Sequence, residues 1–524
     1  PNISYYLLSN MSARVSLLLL FLGIINGNQG ARILGVFPFG APSHYILGST
    51  LMKGLAEAGH DVTIISPFKE KNPPKGGKWT EIILDDLMEP LKKLFIKHDP
   101  FKMEGQSGIS TINLISTMSN IVSEGALKHN KIQELLKSNQ KFDAVIITQF
   151  GIDSMKALAN HFNAHLILFS NTAANSWLNH FVGNPSLPSF APEILLNFPE
   201  KMSFMQRVKN TIFKFVSTLY HNIYFYPHQN TFIQKYFPNP VDIEDTLYNV
   251  SLVLLNSHES IFTAQPHVPC MIQIGGFHVQ PPKKLPDDLQ NFLDEAKEGV
   301  IYFSMGSNLK SQNLPVEKRE AILKTFSKRK EKILWKWEDD VLPGQPPNVK
   351  LGKWLPQQDI LAHPNVKLFI THGGLLSTTE TVYHGVPIIA IPIIGDQKMN
   401  AYNGERLGYG IVLPFEELNE ENLSRLMDEI LSNPKYTNNA KERSRIMHDR
   451  QVKPLDNAVY WVEYVIRHNG ARHLRVPYLE LTWYQFYLLD VFLFIFAVIF
   501  TVLFVIKKAV SYLCRRSQSK TKKE

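Results

Sequence analysis

The chain has 524 residues, 44% hydrophobic and 19% charged, the composition of an ordered globular protein of two or more domains. Its net charge of +8 is concentrated at one end: from Lys507 onward there are seven Lys or Arg and one Glu, so the tail carries +6 and the remainder about +2, which gives a nucleic-acid surface no support. Only two cysteines occur, Cys270 and Cys514, on opposite sides of an apolar run long enough to cross a membrane, which excludes a disulfide framework and a cysteine metal site.

Residues 1–10 show no clear pattern and read as a non-native or untranslated leader, with Met11 the expected start. Arg14, the apolar run Val15 to Ile25 and the small residues up to Gly30 match a secretory signal peptide over residues 11–30. Arg32 to Phe37 reads as a strand, His44 to Ala58 as a helix stopping at Gly59, and Val62 to Ser66 as the next strand, a βαβ unit that opens a first domain over residues 31–262. His44 falls at the helix start, where the dipole disfavours an imidazolium, and a neutral ring is what a general base requires. The run FDAVIIT (Phe142 to Thr148) is another strand; Asp153 follows in a position equally suited to capping a helix.

Met205, Val208, Ile212, Phe215 and Leu219 recur at steps of three and four opposite Arg207, Lys209 and Lys214, an amphipathic helix. The favoured reading packs its apolar stripe against its own domain; the alternative is contact with a membrane surface or an apolar acceptor channel. Leu252 to Asn256 is the last strand of this domain, and the Pro-rich residues 263–286 read as a linker. Asn249 and Asn422 begin triplets with the form of glycosylation acceptors.

A charged helix, Asp287 to Lys297, and the strand Val300 to Phe303 open a second domain over residues 287–453. Val366 to Ile370 is a short apolar strand ending at Thr371-His372-Gly373-Gly374, and Ser377-Thr378-Thr379-Glu380 begins a helix that stops at Gly385 and Pro387. Free amides at such a helix start suit a diphosphate. Ile388 to Ile391 is the next strand, with Gly395-Asp396-Gln397 in the loop at its carboxyl end, where open parallel sheets bind ligands. Upstream, Trp354 offers an aromatic face for a base.

Glu442 to His468 is helical with a break at Pro454, and residues 454–485 are expected to pack back on the first domain. Phe486 to Ile506 is 21 residues with a single charge, Asp490, bordered by Trp483, Tyr484 and Tyr487 on one side and by Lys507, Lys508, Arg515 and Arg516 on the other. This reads as one transmembrane helix with a basic cytoplasmic tail, 507–524. The last residues, with Lys520, Lys522 and Lys523, have the form of a dilysine retrieval signal.

The ordered set from Trp354 to Gln397 closely resembles the UDP-glycosyltransferases, in particular their membrane-bound, insect-like animal branch. The resemblance implies an α/β fold of the GT-B type, two facing Rossmann-like domains plus a C-terminal transmembrane helix, with UDP-sugar on the second domain and acceptor on the first. It implies that Trp354 stacks on uracil, that the backbone of Leu355 reaches the base edge and that Gln357 holds the nucleoside. His372 and Gly374 would bind the diphosphate with help from Ser377 and Thr378, Glu380 the ribose hydroxyls, and Asp396 and Gln397 the sugar, with Ser307 in a loop beside the donor. His44 matches the family's catalytic base. The family's acid partner of that His falls on Thr148, a departure for which Asp153 could substitute if its loop folds back. Glucuronosyl-transferring relatives carry an Arg at the position of Asn256, so a neutral sugar such as glucose is the expected donor moiety. No Asp-x-Asp metal motif occurs, and no cofactor is expected beyond the UDP-sugar co-substrate.

These features together predict metal-independent, inverting transfer of glucose from UDP-glucose to a small lipophilic acceptor, as in detoxification. The enzyme would be a single-pass type I protein of the endoplasmic-reticulum membrane with lumenal catalytic domains, contacting membrane lipid; a homo-oligomer is left open. Two rivals are a catalytically silent UDP-sugar-binding membrane protein, motivated by Thr148, and a membrane-anchored receptor module.

Overall fold

The computed structural model describes residues 30–97, 100–102 and 108–521. The leader, nearly all of the signal peptide and the last three residues lie outside the described residues.

The first domain is built on a parallel sheet of seven strands: β1 Arg32–Val36, β2 Asp61–Ser66, β3 Lys78–Ile83, β4 Ala144–Thr148, β5 His165–Ser170, β6 Val250–Leu255 and β7 Met271–Gln273. Their spatial order is 3-2-1-4-5-6-7. The second sheet has six parallel strands, β8 Val300–Ser304, β9 Lys332–Lys336, β10 Val349–Gly352, β11 Val366–Thr371, β12 Ile388–Ala390 and β13 Gly410–Val412, in the order 10-9-8-11-12-13. Strands such as Ala144–Thr148 and Val300–Ser304 are buried at every residue because helices cover both faces, which is why they read as unbroken apolar runs. In each sheet the strand order reverses between its first and fourth strands, the place at whose carboxyl ends open parallel sheets bind ligands. His44 follows β1 and Thr148 ends β4; Ser307 and His372 follow β8 and β11.

The segment read as a linker contributes β7, which pairs with β6 at Val253 and Met271. Beyond the second sheet, helices Pro434–His448 and Pro454–Arg467 are separated at residues 449–453, the second starting with Pro454 in its first turn. Ala458, Val462 and Val465 of the latter join the first domain's core, and His60 Nε2 meets Glu463 Oε1 at 3.2 Å.

The amphipathic helix is present as Phe204–Tyr220, closed at its start by a capping box between Ser203 and Gln206. Its orientation reverses the favoured reading. Asn210, Phe213 and Ser217 face inward, while Met205, Ile212, Phe215 and Leu219 are exposed, Phe215 to 63%. Polar residues can occupy the inner face because each is satisfied there. Asn210 Nδ2 donates to the carbonyls of Pro188 and Ala191 (2.9 Å each), its Oδ1 accepts from Glu193 N–H (2.9 Å), and Trp177 Nε1 donates to Ser217 Oγ (3.2 Å).

Residues Arg475–Glu524 form a separate unit. A short helix, Trp483–Phe486, is followed by a turn with Leu488 at φ 54°, and the long helix Leu489–Thr521 then begins. The apolar helix therefore starts at Leu489, three residues later than expected. Leu489–Arg515 is long and apolar enough to cross a membrane.

Candidate active site

On the first domain, His44 is the third residue of helix Pro42–Glu57, which starts at Pro42 directly after Ala41. Its ring is flanked by Phe39 and Phe150, with centroids 5.5 and 5.1 Å away. Burial alone lowers its pKa to about 4, so the ring is neutral at physiological pH. Nδ1 is 2.9 Å from the Asn171 amide, and the same amide nitrogen is 2.9 Å from Thr148 Oγ1. Asn171 follows the end of β5, where Asn256 Nδ2 donates to its backbone carbonyl at 3.1 Å. Asp153 is elsewhere engaged: it forms a 2.8 Å ion pair with Lys156, both side chains almost wholly buried, and accepts from Gln149 Nε2 at 3.4 Å. The residue beside His44 is thus Asn171, not Asp153.

On the second domain, His372 is held between two glycines. A Cβ on Gly306 would stand 2.3 Å from His372 Cε1, and one on Gly374 2.4 Å from Nε2, so neither position admits a side chain while the ring stays in place. Burial, and secondarily the Lys336 ammonium, lower the His372 pKa to about 4. Gly374 is the N-cap of helix Leu375–His384 and supplies no side-chain cap. The first backbone bond of the helix runs from Thr378 N–H to Gly374 C=O (2.9 Å), which leaves the amides of the first turn to a ligand or solvent. A neutral imidazole beside unpaired first-turn amides is a donor set of the kind that suits an anion. Ser377 and Thr378 lie in this first turn, Thr378 Oγ1 buried without a partner.

One turn further, Glu380 accepts from Gln357 Nε2 (2.5 Å) and Gln358 Nε2 (3.2 Å). Gln357 also donates to Ser377 Oγ (3.0 Å) and accepts from the Tyr302 hydroxyl (3.2 Å). Burial raises the Glu380 pKa to about 7. The side chain of Leu355 is buried in the core, whereas Trp354 next to it is 66% exposed, an open indole face 5.7 Å from Lys336 Nζ. Lys336 in turn donates to the Gly306 carbonyl (2.9 Å) and Glu338 (2.8 Å), tying the Ser307 loop to the strand below Trp354.

The Asp396-Gln397 loop meets the Gly-Gly turn as the strand order requires. Asn400 Nδ2 donates to the Gly373 carbonyl (3.0 Å) and to Asp396 Oδ2 (2.7 Å), and burial raises the Asp396 pKa. Gln397 Oε1 accepts from the amides of Ile393 and Ile394 (2.9 and 3.0 Å), which holds the loop and leaves the Gln397 NH₂ to donate. The two sides of the crevice adjoin. Leu376, in the helix start beside His372, packs against the first domain's core, and Ala173, two residues past Asn171, packs against the second's.

Asn171, Gln358, Lys336 and Asn400 were not singled out from the sequence. Each lies at the carboxyl end of a strand or in the helix that follows, a position the strand pattern marks, but their roles arise from partners distant in the chain.

Comparison with known proteins agrees with this geometry. The family model described as "UDP-glucoronosyl and UDP-glucosyl transferase" matches residues 39–524. A UDP-glycosyltransferase, UGT5, of Dactylopius coccus is 39% identical over 92% of this chain and 93% of its own. Human UDP-glucuronosyltransferase 2B10 is 30% identical over 88% of this chain and 89% of its own. Among solved structures, a Polygonum tinctorium UDP-glucosyltransferase that glucosylates indoxyl superposes with a TM-score of 0.57 at 17% identity, covering 84% of this chain and 99% of its own. A UDP-glucose:anthocyanidin 3-O-glucosyltransferase in complex with UDP gives 0.55 at 16% identity, covering 84% and 100%. These neighbours share the GT-B arrangement of two facing Rossmann-like domains. With the family model matching residues 39–524 and a relative 39% identical over 92% of the chain, the chain belongs to the UDP-glucuronosyl and UDP-glucosyl transferase family and is a UDP-glycosyltransferase.

Proposed function

We propose that this enzyme transfers glucose from UDP-glucose to a hydroxyl of a small lipophilic acceptor, with inversion and without a metal ion. The observation that carries the reading is the continuous set along one crevice: an open indole at Trp354, a Glu380 carboxyl held by two glutamines, the uncapped helix start beside neutral His372, and the Asp396-Gln397 loop. Trp354 and Gln357 hold the nucleoside, with the Leu355 backbone at the base edge. Glu380 accepts from the ribose hydroxyls. His372, Gly374 and the first-turn amides with Ser377 and Thr378 bind the diphosphate, Ser307 flanks it, and Asp396 and Gln397 bind the sugar hydroxyls.

His44 Nε2 takes the proton from the acceptor hydroxyl as its oxygen attacks the anomeric carbon from the face opposite the diphosphate. The bond from that carbon to the β-phosphate oxygen breaks, and the charge on departing UDP is met by the helix amides. Glucose is favoured over glucuronate because Asn256, buried at the end of β6, supplies no cation, and a buried unpaired carboxylate is strongly disfavoured.

The aromatic and basic borders of the apolar helix support a type I arrangement in the endoplasmic-reticulum membrane with the catalytic domains lumenal. The exposed face of helix Phe204–Tyr220 supports a second contact with the bilayer surface. That helix has no acidic residue and exposes Lys209, while Arg207 and Lys214 donate to the Met202 and Ser186 carbonyls.

His44→Ala tests the chemistry. Turnover is expected to fall about 10²- to 10⁴-fold with UDP affinity nearly unchanged, since His44 is on the other domain. Loss of UDP affinity in step with activity would show that His44 serves the donor instead.

A further inference from the structure

We infer that Asn171 is the positioning residue for His44: its amide, supported by the Thr148 hydroxyl, takes over the place of the absent acid and holds the base through a neutral relay. This rests on the reading of His44 as the base.

The geometry leaves no other partner. Among the described residues His44 makes its side-chain hydrogen bond to Asn171 alone, and its charge-bearing surroundings contribute nothing, burial being the sole cause of its lowered pKa. Asp153 is not available to it. The Lys156 ammonium that Asp153 pairs with is 1% exposed and lies 3.3 Å from the centroid of the Phe181 ring, so withdrawing the carboxylate would leave a cation buried and unpaired. Asn171, by contrast, is fixed from three sides: by β5 before it, by Asn256 on its carbonyl and by Thr148 on its amide. Phe39 and Phe150 confine the imidazole plane.

An amide differs from a carboxylate in two ways that bear on the reaction. It presents either a donor or an acceptor to Nδ1, and it brings no charge. In the structure Nδ2 meets both Nδ1 and Thr148 Oγ1, while Oδ1 is buried without a donor. Turning the planar head end for end would keep both contacts, Oδ1 accepting from Nδ1–H and from the Thr148 hydroxyl, and would place Nδ2 where Oδ1 now lies without a partner. That orientation leaves the lone pair on Nε2, the nitrogen without a hydrogen-bond partner among the described residues, and it is the one the reaction uses. Because the relay is neutral, His44 stays unprotonated to low pH, whereas a carboxylate at the same place would raise its pKa and bring the acid limb of the rate profile upward.

The test is the pH dependence of kcat and of kcat/KM for the full-length enzyme and its Asn171→Ala and Asn171→Asp variants, with UDP affinity measured by calorimetry. Asn171→Ala is expected to lower kcat about 10- to 100-fold, with acceptor KM and UDP affinity within about twofold. Asn171→Asp is expected to recover much of that loss and to move the acid limb of kcat/KM up by about one pH unit or more. Wild-type kcat in Asn171→Ala, or an acid limb in Asn171→Asp that coincides with wild type, overturns the inference. Should Asn171→Ala lose UDP affinity through misfolding, ¹⁵N spectra of the wild-type histidine ring decide: a protonated Nδ1 in the acceptor-bound enzyme supports the relay, and a protonated Nε2 overturns it. If His44→Ala retains turnover the base assignment itself fails; if only Asn171→Ala retains it, the relay fails and the base stands.

Discussion

Glu380 is a buried carboxyl that accepts from two glutamine amides, with the neutral His278 ring 3.8 Å away, and its pKa of about 7 places its titration inside the physiological range. On the proposed reading the ribose hydroxyls would donate to the ionised form, so the donor would recruit deprotonated Glu380. The folded pKa is raised above the ordinary carboxylate value, and affinity that needs the anion is present above about pH 7 and lost as pH falls through it. UDP-glucose binding, followed by calorimetry from about pH 8.5 to about pH 6, is expected to weaken toward the acid side with a slope approaching tenfold per pH unit. Glu380→Gln is expected to bind more weakly and to flatten that dependence. An unchanged slope in the variant would place the titration elsewhere. The donor-side residues were legible in the sequence because Trp354 to Gln397 is one uninterrupted stretch in which spacing fixes position. The partner of His44 was not: Asn171 is 127 residues away, and Thr148 marked only where an acid was lacking.

Periodicity established that a helix runs through Met205 to Leu219 but not which face turns inward. The usual inference buries the apolar stripe; here Asn210 and Ser217 are satisfied inside by loop carbonyls and by Trp177, which frees the stripe for solvent or lipid. In vesicles containing phosphatidylserine, an environment-sensitive fluorophore on Phe215→Cys, with Cys514→Ser to remove the exposed thiol, should emit to the blue and be quenched by brominated lipid. A label that behaves there as it does in detergent-free buffer would show that this face does not touch the bilayer. Strand reading failed in a related way. The strands at the margins of the two sheets, β3, β7, β10 and β13, are short or only partly buried, so they lack the continuous apolar run that marked β4 and β8. One of them, β7, was consequently read as linker.

Across the whole molecule the βαβ alternation marked α/β domains, the resemblance implied two of them facing each other, and the strand order places a switch point between the first and fourth strands of each sheet. What the alternation does not carry is the choice of donor sugar, which depends on single residues brought to the strand ends. Asn256 is buried at the end of β6 against the Asn171 carbonyl, and its amide offers hydrogen bonds but no charge. Asp396, which accepts from Asn400, likewise offers a carboxyl and no cation. The family includes both glucosyl and glucuronosyl transferases, and we propose that these residues turn this chain toward the neutral sugar. The direct measurement is kcat/KM for UDP-glucose and for UDP-glucuronate with one accepted phenol, read by mass spectrometry. The account predicts a ratio well above one, on the order of tenfold or more for an uncompensated buried charge, and a ratio at or below one would contradict it.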